Sequence, residues 1–380
     1  MKHLIFIIII VFFATTSQAQ SIPNVSVETA KHQILSMRLH GGLVLPHHNT
    51  MMYFIEDYAR GVEITYGRAL FDPKSWESYF NYPEIGLGLY YGTFGNSAIY
   101  GEGFAVYPYI HHPIYRRSRI KVESKLALGL AYATRTFDID NNLHNTLFSS
   151  HLNAYISMGL HFDYRIHKRF SLSAGATLTH LSNGAVKKPN HGVNTLTANL
   201  GGRYHFNETL TPTMNSCKAH QSTEREILIV GSAGRCQSTL YNAKEYWNGS
   251  LSINHLWHLN KKRALGIGFD QFYAPSAPLN WSNTDELDPE KTFSKHAYYF
   301  NGLFASYNVF LNKTCLFVNV GVYLHTKVKP PQPVYPRLGI RRYITPNIIA
   351  NFSVKSSFFR SEFLEFGLGY SFNYRKNNKS

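Results

Sequence analysis

Only three cysteines, Cys217, Cys236 and Cys315, occur in 380 residues, and none belongs to a C-x-x-C pair. Three thiols cannot all pair with one another, so neither a disulfide framework nor a cysteine-held zinc site organises this fold. Acidic residues are scarce as well: 23 Asp and Glu stand against 38 Lys and Arg, a formal charge of +15. No nucleic-acid motif accompanies that surplus, which suits phosphate-rich partners such as lipopolysaccharide better than DNA or RNA. Long apolar runs are missing too. Leu4 to Ala14 gives eleven apolar residues, and a helix crossing a bilayer takes about 20. No later stretch comes closer, so a membrane-spanning form of this chain must cross with strands.

The beginning of the chain reads as a targeting segment. Lys2 and His3 are a short basic start, Leu4 to Ala14 the apolar run, and Ser17-Gln18-Ala19 a small-residue cleavage site before Gln20. Residues 1–19 are therefore expected to be a signal peptide, and no cysteine follows the cleavage site to carry a lipid anchor. Aromatics make up 15% of the chain, with 26 tyrosines and 26 phenylalanines, yet mean hydropathy is only −0.22. A β-barrel that turns its aromatics toward lipid and interface accounts for both numbers.

Alternation of apolar and polar residues recurs from Gln33 onward. Near Arg119 to Tyr132, Ile120, Val122, Leu126, Leu128 and Leu130 share one face, while Arg119, Lys121, Glu123 and Lys125 share the other. From His151 the same period sends Leu152, Ala154, Ile156, Met158, Leu160 and Phe162 outward, with His151, Asn153, Ser157, His161 and Asp163 inward. About sixteen such segments can be counted, and tight turns alternate with longer loops. The expected fold is all-β, an antiparallel transmembrane barrel of about 14–16 strands spanning residues 33–374. A segment at 20–32 precedes it and a tail at 375–380 follows. Two connections, 71–83 and 207–223, are long for periplasmic turns. The second supports an alternative, in which an eight-stranded barrel at 33–207 is followed by a second β unit at 208–374.

One stretch carries chemistry. Phe170, Leu172, Ala174, Ala176 and Leu178 share a strand face, and period two puts His180 and Ser182 on that face. After a short loop, Asn194, Leu196, Ala198, Leu200, Gly202, Tyr204 and Phe206 share a face in turn. An antiparallel register placing Asn194 opposite His180 sets Leu178 against Leu196 and Ala176 against Ala198. A slip of one residue would invert every side chain. His180 and Ser182 then have Cα atoms roughly 6.6–6.8 Å apart, within reach of an imidazole and a hydroxyl. A nucleophile, a base and an orienting amide thus stand on a lipid-facing surface, with the loop 183–193 expected outside the cell.

Thr179-His180-Leu181-Ser182-Asn183-Gly184, followed by Pro189-Asn190-His191-Gly192-Val193-Asn194, resembles the signature of the PagL-type lipid A 3-O-deacylases. These are eight-stranded outer-membrane barrels that remove an ester-linked acyl chain from lipid A. The resemblance covers roughly residues 33–207. It implies Ser182 as nucleophile and His180 as general base, with Asn183, Gly184 and Asn190 near the oxyanion or substrate. The family places a Glu fourteen residues after the histidine, where this chain has Asn194. The motif is also similar to that of the outer-membrane phospholipase A family, whose triad is Ser, His and Asn at this spacing and which uses calcium.

Lys187 and Lys188, in the motif loop, are weaker candidates for holding lipid A phosphates. An acidic loop with Asp285, Glu286, Asp288 and Glu290 lacks the glycine of a calcium loop and reads as solvated surface. The histidines frame no zinc site. The expectation is therefore an exported outer-membrane esterase with a Ser-His-Asn triad, acting on lipid A without metal or cofactor. The rival enzyme acts on glycerophospholipids, with calcium then involved. The rival of another class is a catalytically silent pore or structural barrel. A homodimer is left open.

Overall fold

The alternating segments become sixteen antiparallel strands, and these close into two separate rings of eight. This computed structural model describes residues 30–207, 222–238, 244–281, 293–357 and 360–375. The expected signal peptide, Cys217 and the acidic loop at 285–290 lie outside the described residues. In the first ring, β1 (Ala30–Val44), β2 (Ala59–Phe71), β3 (Glu84–Thr93), β4 (Glu102–Arg117), β5 (Ile120–Ala133), β6 (Leu152–His167), β7 (Phe170–Ser182) and β8 (Val193–His205) pair in sequence order. The second ring has β9 (Glu224–Gln237), β10 (Glu245–Asn260), β11 (Arg263–Tyr273), β12 (Tyr299–Leu311), β13 (Thr314–His325), β14 (Val334–Tyr343), β15 (Ile348–Ser357) and β16 (Arg360–Arg375).

The strand total is the one expected, but the strands do not form one large ring. They take the alternative arrangement, an eight-stranded barrel followed by a second β unit. The outer edge of β8 is occupied by β1, from Ile34 opposite His205 to Val44 opposite Thr195. β16 likewise returns to β9. With those edges paired, β8 has nothing to offer β9, and each ring leaves no unpaired edge in hydrocarbon. The long connection after β8 is where the chain passes from one ring to the next.

Faces divide as the alternation requires. In the first ring Leu39, Leu87, Leu130, Leu160 and Leu200 are exposed outward, while Glu63, Glu123, Lys125 and His161 are buried inward. Arg203 is fully buried and touches the carboxylates of Glu84, Glu123 and Asp163. Nδ1 of His111 lies 3.0 Å from Glu123, and the Tyr109 hydroxyl donates to Glu84 at 2.7 Å. A neighbouring cluster joins Glu63 to Lys125, to the Tyr107 hydroxyl and, at 3.4 Å, to Arg38. Eight strands enclose a space that side chains fill, and here they fill it with paired charge.

The second ring follows the same rule with other residues. Arg337 bridges Asp270 and Glu365 at 2.9 Å each, and Glu226 receives the hydroxyls of Tyr343 and Ser371 at 2.7 Å. Outward stand Ile253, Ile267, Leu303, Phe366 and Leu368. Cys236 and Cys315 are unpaired and buried.

Connections in the first ring sort by end. Residues 45–58, 94–101, 134–151 and 183–192 lie at one end, while the other has two-residue turns at 118–119 and 168–169 and the longer 72–83. Beneath the longer set, Val44, Met51, Phe94, Leu147, Phe148, Leu181 and Val193 form a buried apolar plug. Two of these, Leu181 and Val193, flank the motif residues and pin the strand ends inward.

Arg203→Met tests the charge cluster, because it strands three buried carboxylates. Breaking such a cluster by removing one partner costs about 3–5 kcal/mol. Heat-dependent gel mobility of the folded barrel should show a marked drop in unfolding temperature, whereas Lys168→Met, on an exposed turn, should leave it in place.

Candidate active site

β7 and β8 pair in the register read from the sequence: His180 faces Asn194, Leu178 faces Leu196 and Ala176 faces Ala198. Their alternation puts His180, Ser182 and Asn194 on the outer surface, each half-buried, while Leu181 and Val193 turn into the plug. Side-chain direction in a strand admits no other outcome once the neighbours are fixed.

Nδ1 of His180 lies 2.7 Å from Oδ1 of Asn194. An amide oxygen only accepts, so Nδ1 carries the ring proton, and in the neutral ring Nε2 keeps its lone pair. Beside it, Nδ2 of Asn190 donates to Oγ of Ser182 at 2.9 Å. The oxygen of the same amide accepts the backbone N–H of Asn183 at 3.2 Å. Asn190 is therefore oriented, with its N–H group aimed at the serine. The Asn183 side chain is buried and donates to the hydroxyls of Ser149 and Ser150, both at 3.0 Å. Only its backbone N–H bears on the serine, through the Asn190 amide.

The chain turns sharply on either side of the loop. Gly184 and Ala185 have φ of 66° and 71°, and Gly192 has φ of 67°. A Cβ on Gly192 would stand 2.7 Å from the Leu181 carbonyl and 3.0 Å from Cβ of Ser182, so the return strand can pass the motif only as glycine. The loop is tied down by His191 N–H to Thr146 O and Gly192 N–H to Leu147 O, both 3.1 Å. Residues 184–188 group with the second unit. Lys188 is engaged there, its Nζ donating to Asn280 at 3.0 Å and its backbone N–H to Gln237 at 2.9 Å. Among the sequence candidates, His180, Ser182, Asn190, Asn194 and the backbone of Asn183 come together, and Lys188 is held elsewhere.

One residue of this group had no signal in the sequence. His47, in the loop after β1, has Nδ1 3.2 Å from Nδ2 of Asn194 and Nε2 2.7 Å from the His191 carbonyl. The Leu45 N–H also donates to the Asn194 carbonyl at 2.8 Å, and His48 stacks on His191 with centroids 4.2 Å apart. In a single ring of sixteen, β1 would pair with the last strand and His47 would lie far from Asn194. Only closure at eight brings the two together.

Inside the first lumen, His111, Glu123 and His161 bring donor atoms within 4.8 Å of one another. Glu123 is already bound by Arg203 and Lys121, and that fixed positive charge opposes a divalent ion at the same carboxylate.

A family model described as lipid A 3-O-deacylase (PagL) matches residues 60–203, and one described as acyloxyacyl hydrolase, C-terminal domain, matches residues 225–374. No curated protein matches the chain. Among solved structures, the outer membrane enzyme PagL is 15% identical, covering 44% of this chain and 97% of its own, with a TM-score of 0.33. Neisserial surface protein A (NspA) is 11% identical, covering 47% and 99%, with a TM-score of 0.31. A porin variant of Rhodopseudomonas blastica is 9% identical, covering 91% and 100%, with a TM-score of 0.18. The first family model falls on β2 to β8 and the second on β9 to β16, one to each ring. This chain belongs to the PagL family of lipid A 3-O-deacylases.

Proposed function

We propose that this chain is an outer-membrane serine esterase that releases an ester-linked acyl chain from lipid A. Ser182 is its nucleophile, His180 its general base and Asn194 the group that orients the base. Lipid A deacylation follows from the family, and the outer, lipid-facing position of the residues suits a substrate that never leaves the membrane. The observation that carries the residue roles is the 2.7 Å bond between His180 Nδ1 and Asn194 Oδ1, because it leaves Nε2 as the proton acceptor.

In the reaction, Nε2 of His180 takes the Ser182 proton as Oγ attacks the acyl carbonyl. The carbonyl oxygen becomes an anion in a water-poor setting, where aimed N–H donors have their largest effect. The Asn190 amide, already 2.9 Å from Ser182, supplies a donor, and the Asn183 backbone N–H, bonded to the oxygen of that amide, holds it in place. The imidazolium returns its proton to the departing sugar oxygen, leaving the acyl group on Ser182. Water, deprotonated by the same imidazole, then frees the fatty acid. No step calls on a metal.

Having Asn rather than Glu at position 194 changes the electrostatics. A carboxylate stabilises an imidazolium by charge, whereas an amide offers only a dipole. The amide must therefore act chiefly by fixing the tautomer and direction of the ring.

Ser182→Ala should lower turnover by at least about 10³-fold, the scale lost when a triad member is removed. Mass spectrometry of lipid A from cells bearing each protein reads it: loss of one ester-linked acyl chain requires intact Ser182. An unchanged profile with the wild-type chain would overturn the reading. Asn194→Leu should lower kcat by about 10²-fold or more with little effect on KM. For the purified protein in detergent, lipid A hydrolysis should survive chelation of calcium. Calcium-dependent release from glycerophospholipid, with lipid A untouched, would favour the phospholipase instead.

A further inference from the structure

The geometry points to His47 as a positioning residue that fixes which end of the Asn194 amide faces the catalytic histidine. The inference rests on the Ser182, His180 and Asn194 roles given above and adds a fourth member to them.

An amide in the orienting position has a problem that a carboxylate does not. Both oxygens of a carboxylate accept, so either can hold an imidazole N–H. An amide has one accepting end and one donating end. With its oxygen toward His180, Nδ1 holds the proton and Nε2 is basic. Turned over, it donates to Nδ1, moves the ring proton to Nε2, and leaves the histidine unable to take a proton from Ser182. The two orientations have nearly the same shape, so packing alone separates them poorly.

His47 separates them by hydrogen bonding. Its Nε2 lies 2.7 Å from the His191 carbonyl, which can only accept, so Nε2 bears a proton. In the neutral ring Nδ1 is then an acceptor, and it stands 3.2 Å from Nδ2 of Asn194. The amide must present its N–H to His47 and its oxygen to His180, at 2.7 Å. Turning the amide over would set its oxygen against the lone pair of His47 and its N–H against the proton of His180, losing both bonds. The anchor of this chain is itself held. The His191 N–H donates to Thr146 O at 3.1 Å, and the His191 ring stacks on His48 at 4.2 Å and 23°. Backbone carbonyl, His47, Asn194 and His180 form one directed series, and polarity runs along it toward Ser182.

The alternative is that His47 only braces the loop. A rescue experiment tells the two apart, because a carboxylate at position 194 has no orientation to choose. The assay is kcat and KM for lipid A deacylation by the full-length protein in detergent, with folding checked by heat-dependent gel mobility. His47→Phe should lower kcat by about 10- to 100-fold, the scale found for groups that orient a catalytic ligand, with KM little changed. His47→Gln, which offers an N–H and an oxygen, should lose less. In the Asn194→Asp background, His47→Phe should cause no further loss. Full activity of His47→Phe, or an equal loss in the Asn194→Asp background, overturns the inference. Activity in Ser182→Ala would instead overturn the underlying triad, so the two failures are distinguishable. Imidazole nitrogen-15 NMR of the unsubstituted chain gives an answer that no variant's folding can disturb. The inference requires the proton on Nε2 of His47 and on Nδ1 of His180, and a proton on Nδ1 of neutral His47 contradicts it.

Discussion

Three buried carboxylates, Glu84, Glu123 and Asp163, meet one guanidinium, that of Arg203, inside the first ring. Taking such charges out of water costs several kcal/mol apiece unless partners are close and well directed. Their attraction is therefore less a source of net stability than a condition the wall has to satisfy. Arg203 and Asn194 lie on the same strand with opposite parity, one inward and one outward. A slip of one residue in β8 that turned Asn194 into the lumen would also drive Arg203 into hydrocarbon. The ionic interior thus holds the register, and the register holds the outer site on a rigid surface, as a precise constellation requires.

The local pairing was legible because strand periodicity is a covalent property of the chain. Alternation gave the faces of β5, β6, β7 and β8, and the run of apolar residues on both sides of the motif gave the partner of His180. Ring size was another matter. One ring of sixteen and two rings of eight share all but the closing strand contacts, and closing contacts join residues far apart in sequence. Nothing in Gln33 to Val44 says whether β8 or β16 will lie beside it, and so His47 had no visible connection to Asn194. Side-chain commitments were also hidden. Asn183 looked like a candidate at the serine, yet its amide spans to Ser149 and Ser150, residues supplied by a different loop.

Replacing a carboxylate with a carboxamide on a lipid-facing wall has a balance of effects. The charge that would steady an imidazolium is gone, and with it the penalty of keeping that charge in an apolar setting. A neutral group is easier to hold near hydrocarbon but harder to orient. In the cluster of His47, Asn194 and His180, each end of the amide has a ring nitrogen as its partner.

The seam between β1 and β8 joins the earliest strand of the ring to the latest. His47 is contributed just after the first and Asn194 from the start of the last. A sheet open at that seam would keep Ser182 and His180 side by side on β7 but would lack the contact across the gap. The contact between His47 and Asn194 therefore forms only when the circle is complete, so the outer cluster and the closed wall come into being together.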